Sequence, residues 1–443
     1  MKKYIISIML MAAAAFGFSS CEDYPDAFVL ADGVPTVHYV RYAGSDVYID
    51  RAYMGEIVCI VGDNMCSVHD VFFNEHPAVL NTSYMTEHTI IVQVPGQISQ
   101  KVTDKIYLVA GNGSVVEVPF RVMMPAPQIK SMSCEFQTPG TDVTVYGNYF
   151  TEPMTLTFED GAGVEVTSFK SVSMTEVTFT IPEDAKPGRI KISTESGLAR
   201  SPFAYMDPSG MLFDFDDDGD AALATNASNC WHAREIKTDD TAIDGNYLQL
   251  GDGSTTLNAT ADWNDGLYAF EYWCGTWDTP QNITSGAGIA LFNLADFSDY
   301  QNMALKFEMC IPASNPWMAG AMQIAFQPVS QVTVSGNAID GFDAVAGANA
   351  GAFNGDNGLG GWGRALYRPW VSTGSYDTAG KWVTVTVPMS DFTYNKDGAG
   401  ATKQFSSEHD FASLTMFVVG GGVAGKECAP VIKIDNIRAV PAK

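Results

Sequence analysis

Apolar residues along this chain gather in short strand-like runs and fall almost nowhere at helical spacing. Glu56 to Val61, Thr89 to Val94, Lys105 to Val109, Asp142 to Tyr146, Val177 to Ile181 and Arg189 to Ser193 are rich in β-branched residues and separated by Gly, Pro and Asn. Runs of that length and composition build strands, and the punctuation between them builds turns. The chain is therefore expected to be all-β.

The runs also repeat. Between residues 35 and 206 a pattern recurs with a period of about 85 to 90 residues, as two copies of one sandwich would. Pro35-Thr-Val-His-Tyr-Val matches Pro127-Gln-Ile-Lys-Ser-Met, and Ile57-Val-Cys-Ile-Val-Gly-Asp-Asn64 matches Val143-Thr-Val-Tyr-Gly-Asn148. Asp70-Val-Phe-Phe73 matches Thr155-Leu-Thr-Phe158, and Thr89-Ile-Ile-Val-Gln-Val-Pro95 matches Glu176-Val-Thr-Phe-Thr-Ile-Pro182. Gly111-Asn-Gly113 and Glu195-Ser-Gly197 are the matching late turns. Gly62 and Gly147 are expected to supply positive φ at a tight corner, and Pro95 and Pro182 to end strands by removing a ladder donor.

These marks resemble the immunoglobulin-like IPT/TIG domain, in which a strand-Gly-x-Asn turn, a strand-Pro edge and a closing hairpin occur in this order. The two copies, 35–124 and 125–206, read as spacers, since they contain no Trp and few clustered aromatics. All eight Trp residues fall later, at 231, 263, 273, 277, 317, 362, 370 and 382. A domain boundary is placed near residue 207, and a chain of 443 residues has room for about three domains.

The last region, 207–443, opens with Met211-Leu-Phe-Asp-Phe-Asp216 and closes with Val431-Ile-Lys-Ile-Asp-Asn-Ile-Arg438. Between them stand Asp296-Phe-Ser-Asp-Tyr-Gln-Asn-Met-Ala-Leu-Lys-Phe-Glu308 and Lys381-Trp-Val-Thr-Val-Thr-Val-Pro-Met-Ser-Asp-Phe392. The ordered set resembles a β-jelly-roll carbohydrate-binding module whose first and last strands pair. With two IPT-like domains upstream, nearly the full length is similar to the surface glycan-binding B proteins of starch-utilisation-type systems. That resemblance implies capture of a neutral plant glycan such as xyloglucan or another β-glucan, no catalysis, and a glycan-importing outer-membrane transporter as partner.

Sugar capture has a chemical signature of its own. A pyranose ring has a C–H patch on one side and hydroxyls around its rim, so aromatic rings stack on the patch and amides, carboxylates or guanidinium groups take the rim. Trp263 to Trp277 and Trp362-Gly-Arg-Ala-Leu-Tyr-Arg-Pro-Trp370 meet that demand between Gly-rich segments. Trp273, Trp277, Trp317 and Trp370 are the stacking candidates, with Tyr272, Trp362 and Tyr367 secondary. Arg364, Arg368 and Asn315 are candidate donors to rim hydroxyls. Trp382, alternating with Val and Thr, is expected in the core, and so is Trp231.

Asp214-Phe-Asp216-Asp-Asp218-Gly-Asp220 satisfies the opening of a calcium loop, although Thr225 stands where the closing Glu belongs. Asp214, Asp216 and Asp218, with Asp435 of the last strand, are thus candidate ligands of a structural calcium ion. The competing reading is a solvated acidic turn, and no other cofactor is called for. Gly420-Gly-Gly-Val-Ala-Gly-Lys426 superficially copies a phosphate loop, but Glu427 replaces the required Ser or Thr and Pro430 forbids a long helix.

Charge narrows the partner. Lys plus Arg number 25 against 51 Asp plus Glu, a net charge of −26 that repels nucleic acid and anionic lipid headgroups. A neutral ligand fits better. The rival functions are a glycoside hydrolase built on a jelly roll, needing only two carboxylates at a set separation, and an adhesive or matrix surface protein. No H-E-x-x-H or G-x-S-x-G occurs.

Residues 1–20 read as a signal peptide: Lys2 and Lys3, an apolar run from Tyr4 to Phe18, then Ser19 and Ser20 before Cys21. The run is too short for an ordinary membrane span. Its ending resembles the lipobox of bacterial lipoproteins, with Phe18 in place of the usual Leu, which makes Cys21 the lipidation site and 21–34 a tether. The acidic Glu22, Asp23 and Asp26 resemble a surface-export signal, implying the outer face of the outer membrane. Seven further cysteines cannot all pair, and Cys59 and Cys310, inside apolar runs, are expected as buried thiols.

Overall fold

A computed structural model describes residues 32–159, 163–216, 236–262, 267–272, 289–327 and 361–442. Among them every extended element is a strand or a 3₁₀ turn, so the chain is all-β. It divides into two compact units, one ending at Pro125 and one beginning at Ala126.

The first unit is a sandwich. One sheet runs Tyr48–Ile49, Thr36–Tyr42, Ile57–Asp63, Thr89–Gln93, and the other runs His76–Ala78, Val68–Phe73, Lys105–Ala110, Val115–Pro119. Alternate residues face inward, so Val58, Ile60, Ile90 and Val92 of the first sheet meet Val71, Phe73, Ile106 and Leu108 of the second. The sandwich that opens the second unit repeats this plan. Its sheets are Gln128–Met132, Asp142–Asn148, Glu176–Thr180, Ser171–Val172 in one order, and Val164–Val166, Met154–Phe158, Gly188–Thr194, Gly197–Tyr205 in the other.

The paired glycines act differently from expectation. Neither Gly62 nor Gly147 has positive φ; that conformation falls two residues later, on Asn64 and Tyr149. A Cβ on Gly62 would lie 1.9 Å from the Thr36 carbonyl oxygen, and one on Gly147 would lie 1.9 Å from that of Gln128. Glycine is needed in both copies because the neighbouring strand passes too close for any side chain.

The C-terminal part of the second unit is a larger sandwich. Its six-stranded sheet runs Ile236–Lys237, Tyr247–Leu250, Ile432–Pro441, Met303–Cys310, Trp382–Pro388, and the opening strand Met211–Phe213 also pairs with Ile432–Pro441. The facing four-stranded sheet runs Ala269–Tyr272, Ser413–Val418, Met322–Gln327, Ala365–Tyr367. Leu305, Phe307, Met309 and Ile434 pack against Phe270, Leu414, Met416, Ile324 and Phe326 between them.

The second immunoglobulin-like sandwich is no free spacer. Cys134 and Phe136, just after its first strand, share a buried cluster with Ile243, Tyr247, Cys310 and Trp382 of the C-terminal sandwich. Trp382 is therefore core as expected, but the core is that of the junction. Its Nε1 donates to the Thr241 carbonyl at 2.8 Å, and its ring meets Tyr247 edge-on. Between the two apolar residues, Glu135 enters a buried charge network. Arg438 bonds Glu135 at 2.9 Å and Glu308 at 2.6 Å, and Lys306 bonds Glu135 at 2.6 Å. Burial alone would depress the Arg438 guanidinium, and the two carboxylates more than reverse that. Cys59 and Cys310 are buried free thiols.

Candidate functional site

The strand Ala269–Tyr272 shows how the C-terminal sandwich divides its residues. Phe270 and Tyr272 point into the core, while Glu271 lies on the opposite face of the four-stranded sheet. On its neighbours that outer face continues with Thr415 and Ser413, then Gln323 and Gln327, and Arg364 at the edge. An outer sheet face is ordinarily solvated, yet all six of these polar residues are buried. Arg364 donates to the Gln323 side-chain oxygen at 3.0 Å, and Gln323 donates to the Lys396 and Val419 carbonyls, each at 2.9 Å. Burial lowers the Arg364 guanidinium to about 10, opposed by Asp397. Gln327 donates to the Thr415 hydroxyl at 3.1 Å, while its own Oε1 meets no donor.

An amide oxygen, a hydroxyl and a carboxylate close together are the groups that sugar hydroxyls bond. Sequence reasoning passed over these residues. Their signal was the alternation of polar and apolar positions in Met322-Gln-Ile-Ala-Phe-Gln327 and Ser413-Leu-Thr-Met416.

The aromatic candidates separate sharply. Trp317 is fully buried and donates to the Ala319 carbonyl at 2.7 Å, and Trp370 is buried and donates to the Gly320 carbonyl at 2.8 Å. Trp362, also buried, donates to the Phe326 carbonyl at 2.8 Å. Each indole has satisfied its only donor inside the protein and has no ring face free for a sugar, so these three belong to the core and not to a stacking platform. Tyr367 is half-buried against Phe307 and Trp317. Arg364 is held within the sheet as described, and Asn315 is spent on the Gly253 and Ala429 carbonyls. Arg368 donates to the Gly421 carbonyl.

Tyr272 is corrected to a different role. Its ring is buried against Phe213, and its hydroxyl donates to the Ile289 carbonyl at 2.6 Å and accepts from the Ile289 N–H at 2.8 Å. The two described residues flanking 273–288 are thereby clasped to each other. Trp273 and Trp277 fall within that segment and, like Trp231 and Trp263, lie outside the described residues. Tyr272 pairs with Leu414 and Gln327 with Ser413, so both strands reach the same end of the sheet, the end where Gln327 leaves an oxygen unbonded.

The stretch that would form a calcium loop lies largely outside the described residues, which keep only Asp214 and Asp216 of it. Asp214 accepts from the Asp216 N–H at 3.1 Å, and Asp216 accepts from the Asn246 N–H at 2.6 Å. Among the described residues no three acidic, imidazole or thiol side chains converge as a metal cage, and Asp218 lies outside them. Asp435 is fully buried and its Oδ2 meets no donor. Burial, with Asp244 beside it, pushes its carboxyl up to about 11. Cys21 precedes the described residues.

Comparison with known proteins agrees with this layout. A model of the surface glycan-binding protein B xyloglucan-binding domain matches residues 205–441, and one of the IPT/TIG domain matches 127–205. The crystal structure of the surface glycan-binding protein PbSGBP-B from Prevotella bryantii is 40% identical; the likeness covers 94% of this chain and 100% of that one, with a TM-score of 0.71. An SGBP-B from a complex xyloglucan utilization locus of Bacteroides uniformis is 16% identical, covering 92% of this chain and 100% of that one, with a TM-score of 0.42. An IPT/TIG domain-containing protein of Bacteroides ovatus is 27% identical over 142 residues, 30% of this chain and 28% of that relative's length.

Proposed function

Because the chain belongs to the surface glycan-binding protein B family, we propose that its C-terminal sandwich captures a neutral β-glucan of the xyloglucan class at the cell surface and performs no reaction on it. The observation that carries this reading is the family match over 205–441, the region to which every Trp of the chain is confined. With Trp317, Trp362 and Trp370 committed to packing, stacking falls to Trp273 and Trp277. Glu271, Thr415 and Gln327, buried on the outer face of the sheet, hold the end of it that Tyr272 and Gln327 share. Cys21 carries the lipid that holds the protein to the outer membrane, where the captured chain is passed to a glycan-importing transporter.

Removing one stacked ring from a central contact costs roughly 2 kcal/mol or more, which is tens of fold in affinity. W273A and W277A should therefore lose that much affinity for xyloglucan in calorimetric titration while melting as the parent does. Full affinity in both would remove the stacking assignment. The parent should migrate slowly in gels containing xyloglucan and release no reducing ends over days of incubation, and reducing-end release would make it an enzyme. Affinity should change little with salt, since the ligand is uncharged. C21A should leave the membrane fraction.

A further inference from the structure

The two immunoglobulin-like sandwiches share a register but not an outer face. In the second, Asp142, Thr144, Tyr146, Glu176, Thr178 and Thr180 point away from the core, paired across two adjacent strands. The same cross-strand pairs in the first are Ile57 with Gln93, Cys59 with Ile91, and Val61 with Thr89. Beside them, on the next strand, Tyr39 pairs with Val61, and the edge residue Tyr48 pairs with Arg41. Asp142, Thr144 and Thr178 of one copy give way to Ile57, Cys59 and Ile91 in the other, and Tyr48 comes from an edge strand present only beside the first copy's opening strand.

This face is open. Tyr48 is 67% exposed and its ring lies 4.2 Å from that of Tyr39, and Ile57 is 52% exposed. The charge beside it is tied down, because Arg41 turns back to donate to the carbonyls of Tyr42, Ala43 and Ser45. Its far end carries hydrogen-bonding groups: Asp63 sits between His38 at 3.0 Å and His88 at 3.1 Å, all three exposed.

Exposed contiguous apolar surface marks a binding face, and its chemistry selects the occupant. Tyrosine rings followed by an acid and two imidazoles suit a ligand that is itself half C–H and half hydroxyl, without charge. We propose that this face of the first sandwich, centred on Tyr48 and Tyr39 with Asp63, His38 and His88 at its rim, is a second glycan site for the same neutral β-glucan. The inference rests on the reading of the C-terminal sandwich as a β-glucan binder. A polymer long enough to touch both sites is held at high effective concentration once the first is engaged, so a weak second site strengthens retention of long chains alone.

The test uses the full chain with Y48A and Y39A/Y48A, long xyloglucan, and a short xyloglucan oligosaccharide. Retention by the polysaccharide should weaken about tenfold while affinity for the oligosaccharide and the melting temperature stay unchanged. In a W273A/W277A background, residual polysaccharide retention should disappear on adding Y48A. Unchanged polysaccharide retention in Y39A/Y48A, with W273A/W277A losing it, overturns the second site and leaves the C-terminal reading standing. Unchanged retention with an altered sedimentation coefficient makes the face a contact between copies and overturns it equally. Absence of glycan binding by the parent chain defeats both readings together.

Discussion

The two immunoglobulin-like sandwiches share their central strand pairings, apolar inward positions and glycine closeness, yet they are used differently. In the second, the segment after the first strand is Ser133-Cys134-Glu135-Phe136, and it is buried in the neighbouring sandwich. In the first, the corresponding segment is Arg41-Tyr42-Ala43-Gly44, in which Arg41 turns back onto the carbonyls of Tyr42, Ala43 and Ser45 and Tyr42 packs against the core of its own sandwich. The outer sheet faces differ in the reverse sense, polar in the second copy and apolar in the first. A sandwich needs only its inward positions to fold, so the outward ones are free to diverge in function.

The sharpest way to break this comparison is to attack the junction. Removing one partner of a buried ion network leaves an uncompensated charge, at a cost of about 3–5 kcal/mol. R438M strands Glu135 and Glu308 together, so the calorimetric transition of residues 126–443 should drop steeply while that of the first sandwich stays in place. A chain trimmed to 207–443 exposes Tyr247, Cys310 and Trp382 and should be insoluble, whereas one spanning 126–443 should fold. If the trimmed chain folds and binds, the second sandwich is a spacer after all.

A smaller, pH-dependent effect separates the units further. Asp435 holds its proton up to about 11 in the native protein and only to about 3.9 when unfolded. Between those values the native state binds one proton more, so this group's contribution to stability is full below the unfolded value and falls as pH rises. Melting of the second unit should decline from pH 5 to pH 9, and D435N should flatten the decline. The first sandwich has no such group, and its transition serves as the internal control. An identical slope in D435N would place the titration elsewhere.

The smallest effect is the most diagnostic for the outer face. I57D and I91T place the residues of the second sandwich in the first at positions outside its core. Each should change stability by no more than about 0.5 kcal/mol, measured by chemical unfolding. A larger loss would mean that these residues fold the domain as well as form its surface.

Much of this was readable without coordinates. The repeat and the all-β class follow from patterns that each strand carries in itself, because inward alternation is a local property, while the pairing of Met211–Phe213 with the last strand was implied by the family resemblance alone. The burial of Cys59 and Cys310 was legible from the apolar runs that hold them. The stacking platform was not. Trp362 and Trp370 sit between Gly-rich segments as a sugar-binding aromatic would, and only the carbonyls of Phe326 and Gly320, like that of Ala319 for Trp317, reveal that the indoles are spent inside.

What the sequence by itself determined is therefore the order of domains, the strands within them and the family they form, all written in local periodicity and short motifs. What only the tertiary structure decided is which polar and aromatic residues meet. Glu135 reaches Arg438 across 303 positions, and Tyr272 reaches Ile289 across a segment whose base it closes. The paired face of the first sandwich looks apolar only when Tyr39, Tyr48, Val61 and Ile91 are laid side by side. Such contacts depend on how sheets stack and strands pair at long range, and no window of sequence contains both partners.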